Sequence, residues 1–190
     1  MLFRSRGDDP DLLVQLATLL RDQARHDEAL SCLERARAKT PTDARILFES
    51  GACHEAAGRA ADAERLYAEC LARDPEQDDA RVQLANVWLR SGRAEQAIPL
   101  YQAAVARNPR QPALHNNLAT ALMTTQQLGA AEHHFRQTLA LDPGFFQAWL
   151  HLGRVLAATG RPAEAREALQ RAAVLRPDDP RVQELLGGLR

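Results

Sequence analysis

Histidines, cysteines and a run of amide and arginine side chains are the groups that could do chemistry in this 190-residue chain. Cys32, Cys53 and Cys70 form no C-x-x-C pair and show no metal-ligand spacing. Three thiols cannot pair completely, so buried reduced cysteines are the expectation, as in a reducing compartment. His133 and His134 are neighbours, and on a helix neighbours point about 100° apart, so they cannot share one facial metal site. His115 and His151 could approach from neighbouring repeats, but no Asp, Glu or Cys joins them at ligand spacing. No Gly-rich phosphate loop, nucleophile elbow or His-Glu-x-x-His occurs. The chain reads as non-catalytic, with neither metal nor cofactor.

What remains is recognition. Asn and Gln amides can hydrogen-bond the main chain of an extended peptide whatever its sequence. An arginine such as Arg154 can hold a carboxylate in a bidentate fork. Whether such groups act together depends on the elements that carry them, and those elements repeat. Alanine recurs every 34 residues as Ala29, Ala63, Ala97, Ala131 and Ala165, and proline as Pro41, Pro75, Pro109, Pro143 and Pro177. At an average proline frequency of about 5%, four further coincidences after the first have odds on the order of 10⁻⁵. A fixed period of this length marks a repeat array. Five repeats follow, 10–43, 44–77, 78–111, 112–145 and 146–179, and residues 180–190 begin a sixth or form a terminal covering helix.

Each repeat reads as two helices. In the first, Leu12, Leu13, Leu16, Leu19 and Leu20 recur at helical spacing and predict one apolar face. A polar break follows, at Gly58-Arg59, Gly92-Arg93, Gln126-Gln127 and Gly160-Arg161-Pro162 in later repeats. Glycine there supplies the left-handed backbone that ends a helix. The recurring proline cannot donate a backbone hydrogen bond and disfavours helix before it, so it turns the chain into the next repeat. The alanines let the second helix approach the first. Four residues on, the slot is large: Leu33, Tyr67, Tyr101, Phe135 and Leu169.

These residues resemble the tetratricopeptide repeat, over all five repeats. The fullest copy is Trp149-x-x-Leu152-Gly153-x-x-Leu156 with Ala165, Leu169 and Pro177. Arg81 and His115 depart from the pattern where the family prefers a bulky apolar residue, and looser packing is expected there. The resemblance implies an all-α fold, a right-handed superhelix of antiparallel helix pairs in which the first helix of each pair lines a concave surface where partners bind. Projecting the first helices onto that surface gives mixed charge early on, from Asp11, Thr18 and Arg21 to Arg45 and Glu49. Further on it becomes amide-rich and then basic. Gln83, Asn86, Asn116, Asn117, Thr120, His151 and Arg154 are the expected peptide-binding residues. Asn86 and Asn117 match the two asparagine positions of the family's carboxylate clamp, but Val82 stands where that clamp has lysine.

Composition narrows the partner. Hydrophobic residues make up 45% and charged residues 26%, a globular balance, and aromatics only 5%, so the core is expected to be Leu, Ala and Val. A net charge of −1 offers no bulk basic field for nucleic acid or anionic lipid, and no stretch is apolar enough to span a membrane. Arginine bias (Lys39 is the only lysine) suggests a bacterial source. Leu2-Phe3-Arg4-Ser5 reads like a translated sequencing-adapter end, with the true start further upstream. The expected function is a protein-interaction scaffold in the cytoplasm that binds a peptide or partner helix. The alternative is a docking segment of a larger bacterial glycosyltransferase or sulfotransferase. A further expectation is end-to-end self-association through Leu185, Leu186 and Leu189.

Overall fold

The computed structural model describes residues 9–189, all of whose regular elements are helices. The expectation about residues 2–5 lies outside that range. Five helix pairs and one further helix follow each other: α1 (Pro10–Asp22), α2 (His26–Lys39), α3 (Ala44–Ala56), α4 (Ala60–Arg73), α5 (Asp78–Arg90), α6 (Ala94–Arg107), α7 (Pro112–Thr124), α8 (Leu128–Leu141), α9 (Phe146–Ala158), α10 (Pro162–Leu175) and α11 (Pro180–Gly188). Every first helix begins where the 34-residue period places it. The chain divides into two compact units, Met1–Val87 and Trp88–Arg190, with the division falling inside α5.

The helix ends follow from local chemistry. Asp9, Asp43 and Asp179 cap α1, α3 and α11, their Oδ1 atoms accepting from the N–H two residues on at 2.9–3.0 Å. The first helices end in left-handed backbone at Gly58, Gly92 and Gly160, with φ of +74° to +77°. Ala24 and Gln126 hold the same conformation in the first and fourth repeats without being glycine, at φ of 59° and 61°.

Within the first compact unit α1 packs on α2, α2 on α3 and α3 on α4, while α1 also touches α3. Within the second, α7 packs on α8, α8 on α9, α9 on α10 and α10 on α11, while α7 touches α9. The recurring Ala and the large residue after it are all fully buried, from Ala29 and Leu33 to Ala165 and Leu169. The closest approaches use glycine. A Cβ at Gly51 would lie 2.7 Å from the Tyr67 ring, and one at Gly153 would lie 2.6 Å from Leu169 Cγ. Cys32, Cys53 and Cys70 are buried free thiols, and burial raises Cys53 and Cys70 to about 11.

One sequence expectation is corrected. Of the five leucines assigned to one face of α1, only Leu13 and Leu20 are buried, while Leu12, Leu16 and Leu19 are 48%, 45% and 60% exposed. One period-matched set in a later repeat, Leu114, Leu118 and Ala121, is buried. There α6 packs on α7; among the described residues no helix precedes α1. The leucines expected to take part in end-to-end association are half-buried. Leu185, Leu186 and Leu189 pack with Val182 against Phe146, Leu150, Leu169 and Ala172.

Candidate functional site

The seven residues expected to bind a peptide do not share one environment. Gln83 and Asn86 lie on α5 in the first compact unit, where Asn86 Nδ2 donates to Gln83 Oε1 at 2.9 Å. The other five lie in the second unit. Asn116 is only 9% exposed, so it is a buried residue and not a groove residue. Its Nδ2 donates to Asn117 Oδ1 at 3.3 Å, and its Oδ1 is buried without a hydrogen-bond partner among the described residues. The helical register explains the correction: buried Leu114, His115 and Leu118 flank it on α7.

Thr120, His151 and Arg154 do come together. They line a pocket of about 550 Å³ with Met123, Thr124, Gln126, Leu128, Val155, Ala157, Ala158 and Leu185. Its walls are α7, α9 and α11, three successive first helices, closed on one side by the turn into α8. Met123, Leu128, Val155, Ala157, Ala158 and Leu185 were not among the expected binding residues, all of which are polar. The signal was present: Leu185 lies 34 residues after His151 and so in the same repeat slot.

Each polar group in the pocket has a defined role. Thr120 Oγ1 donates to Asn116 O at 2.8 Å and Thr124 Oγ1 to Thr120 O at 2.9 Å. Both hydroxyl protons are used inside the helix, so towards the pocket these oxygens can only accept. Burial, then the positive charges of Arg154 and Arg181, pushes His151 down to about 4, so it is neutral at neutral pH. Its ring lies 5.7 Å from that of Phe135, and its Nδ1 is buried without a hydrogen-bond partner among the described residues. Arg154 is exposed, is the only charged residue of the lining, and pairs with no carboxylate among the described residues.

The first compact unit differs. There Arg21 Nη1 meets Glu49 Oε2 at 2.6 Å, Thr18 Oγ1 reaches the same oxygen at 3.4 Å, and Arg45 meets Asp11 at 2.9 Å. Its mixed charges neutralise each other from α1 to α3.

The histidines also rearrange the expectation. His115 pairs with His134 and not with His151, Nδ1 to Nδ1 at 3.1 Å. His115 Nε2 lies 3.0 Å from Pro109 O, which can only accept, so that nitrogen carries the proton. His115 Nδ1 is then the acceptor and His134 Nδ1 the donor. Among the described residues no three His, Cys, Asp or Glu side chains converge as a metal site. No helix there is long and apolar enough to cross a membrane.

Models of the tetratricopeptide repeat match residues 14–78, 55–122, 89–133 and 122–189. The chain belongs to the tetratricopeptide repeat family. Among curated proteins no relative matches. Solved structures share the fold. MamA, from residue 41 to its end, of Desulfovibrio magneticus RS-1 superimposes with a TM-score of 0.84 at 21% identity, covering 92% of this chain and 98% of that one. YrrB, described as a TPR protein with an unusual peptide-binding site, gives 0.84 at 20% identity, covering 95% and 93%.

Proposed function

We propose that this chain is a non-catalytic protein-interaction module that holds an extended peptide along the first helices of its repeats. Its principal site is the pocket between α7, α9 and α11. The observation that carries this reading is that pocket: an apolar well bounded by hydroxyl oxygens that only accept and an arginine with no carboxylate partner among the described residues. Threonine oxygens of this kind suit the N–H groups of an extended main chain, which a helical ligand would already have used internally. YrrB supports the reading as a similar fold with a peptide-binding site.

The test uses the immobilised full chain and a library of random decapeptides. The native protein is expected to retain a subset. Ala158→Trp, which fills the pocket from the exposed side of α9, is expected to lose that subset while melting at an unchanged temperature. If the native chain retains no peptide, or Ala158→Trp retains the same pool, the assignment is wrong.

A further inference from the structure

Resting on that reading, we infer that the pocket selects peptides in which an aspartate or glutamate side chain lies beside a medium-sized aliphatic one. The argument is one of complementarity. Among the described residues Arg154 is the only charge in the lining, and Arg21 and Arg45 on the first unit's first helices are matched by Glu49 and Asp11 whereas Arg154 has no such partner. Arg181, whose charge is felt at His151, adds to the positive field, although Asp179 holds it at 2.8 Å. A ligand that brings a carboxylate to Arg154 therefore supplies the charge that the repeat itself supplies elsewhere.

The well beside Arg154 is built from Met123, Leu128, Val155 and Leu185. The whole pocket, about 550 Å³ with its polar walls, accommodates a Leu, Ile or Met side chain with part of the main chain. His151, neutral and set against Phe135, does not compete with Arg154 for the carboxylate. Thr120 and Thr124 lie on α7 and Arg154 on α9, so donors and acceptors of the ligand are read from different walls. An internal residue fits that division: its main-chain N–H reaches the threonine oxygens while its side-chain carboxylate crosses to Arg154. A chain end would have to bring its terminal carboxylate itself across the pocket, so the side chain is the source assigned here.

The experiment compares two random decapeptide libraries, both N-acetylated, one C-amidated and one with a free C-terminus, on the native chain, Arg154→Gln and Arg154→Glu. The amidated pool kept by the native chain is expected to be enriched in Asp or Glu beside Leu, Ile, Val or Met. For a single acidic peptide from that pool, Arg154→Gln should weaken binding about five- to tenfold. The same peptide with its acid changed to alanine should bind both proteins alike. Arg154→Glu should shift the enrichment to Lys and Arg. Retention without acidic enrichment, enrichment that survives Arg154→Gln, or retention of free-C-terminus peptides alone would overturn the inference and leave the peptide groove standing. Retention of nothing by the native chain removes the groove itself.

Discussion

Trp149 donates its indole N–H to the carbonyl of Pro143 at 2.8 Å. The same relation, six residues after a repeat proline, recurs at Pro75, Pro109 and Pro177 with unrelated side chains. Arg81 donates to Pro75 O, His115 Nε2 to Pro109 O at 3.0 Å, and Gln183 Nε2 to Pro177 O at 3.1 Å. The polar residues that seemed to break the family pattern at Arg81 and His115 therefore satisfy a turn carbonyl. In the second repeat that slot is Leu47, which has no donor, and Arg73 bonds Pro41 O instead. At four of these positions the slot carries a donor that reaches back over the turn, and at Leu47 it is filled by buried apolar bulk.

Trp149→Phe keeps an aromatic, though smaller, ring and deletes the donor. Its expected cost is about 0.5–1.5 kcal/mol, because an exposed carbonyl regains water. Trp149→Gln, which restores a donor as Gln183 does, should lose less through that bond but more through packing. Urea unfolding of native and variant chains at equal m-value measures the difference. A Trp149→Phe midpoint equal to the native one would show that the bond contributes nothing.

Glycines within helices divide by what a methyl would meet. Gly51→Ala drives a Cβ to 2.7 Å from the Tyr67 ring, which is buried and bonded through its hydroxyl to Glu55 at 2.8 Å and so cannot yield cheaply. Overpacking of this kind costs about 1–3 kcal/mol and outweighs the roughly 1 kcal/mol that alanine gains in helix propensity. Gly129→Ala, on α8, meets nothing within 4 Å and should stabilise by about 0.5–1 kcal/mol. The two melting temperatures should move in opposite directions, and a rise for Gly51→Ala would contradict the packing account.

Ala24 occupies the left-handed turn that Gly58, Gly92 and Gly160 occupy in other repeats. A side chain in that region costs about 1–2 kcal/mol, partly offset by the entropy glycine loses on folding. Ala24→Gly should therefore raise stability by up to about 1 kcal/mol, and Gly160→Ala should lower it by a similar amount. Thermal unfolding of both variants checks the pair. A fall for Ala24→Gly would mean that the turn holds no strain.

Histidine burial sets an acid limit. Burial, then the charges of His115 and His133, pushes His134 from 6.5 down to about 4, and His151 is lowered to the same level. Between those values the unfolded chain binds more protons than the folded one, so stability is full above about pH 6.5 and declines as pH falls towards 4. Carboxylates act lower: the hydrogen bond from Arg45 holds Asp43 below its usual 3.8, so its contribution is lost only in more acid solution. The melting temperature should drop by several degrees from pH 7 to pH 5. A His134→Gln, His151→Gln double variant should show a much smaller drop, and an equal drop would exclude these two groups as its cause.

The sequence by itself determined the repeat. A 34-residue period of small, large and turn-forming residues leaves the helices few other ways to bury their apolar faces. The first helices accordingly begin where the period puts them, and Ala29 to Ala165 are fully buried. Periodicity could not say which apolar face of α1 meets a neighbour, because that depends on whether a helix precedes it. It could not show that Asn116 turns inward or that His115 meets His134, since both depend on rotation and depth at helix contacts. Nor could it find the pocket. Met123, Leu128, Val155 and Leu185 carry ordinary core-type side chains, and only the juxtaposition of α7, α9 and α11 sets them beside the charge of Arg154. The pattern along a helix is local and legible in one dimension, whereas a site between helices is fixed by their packing.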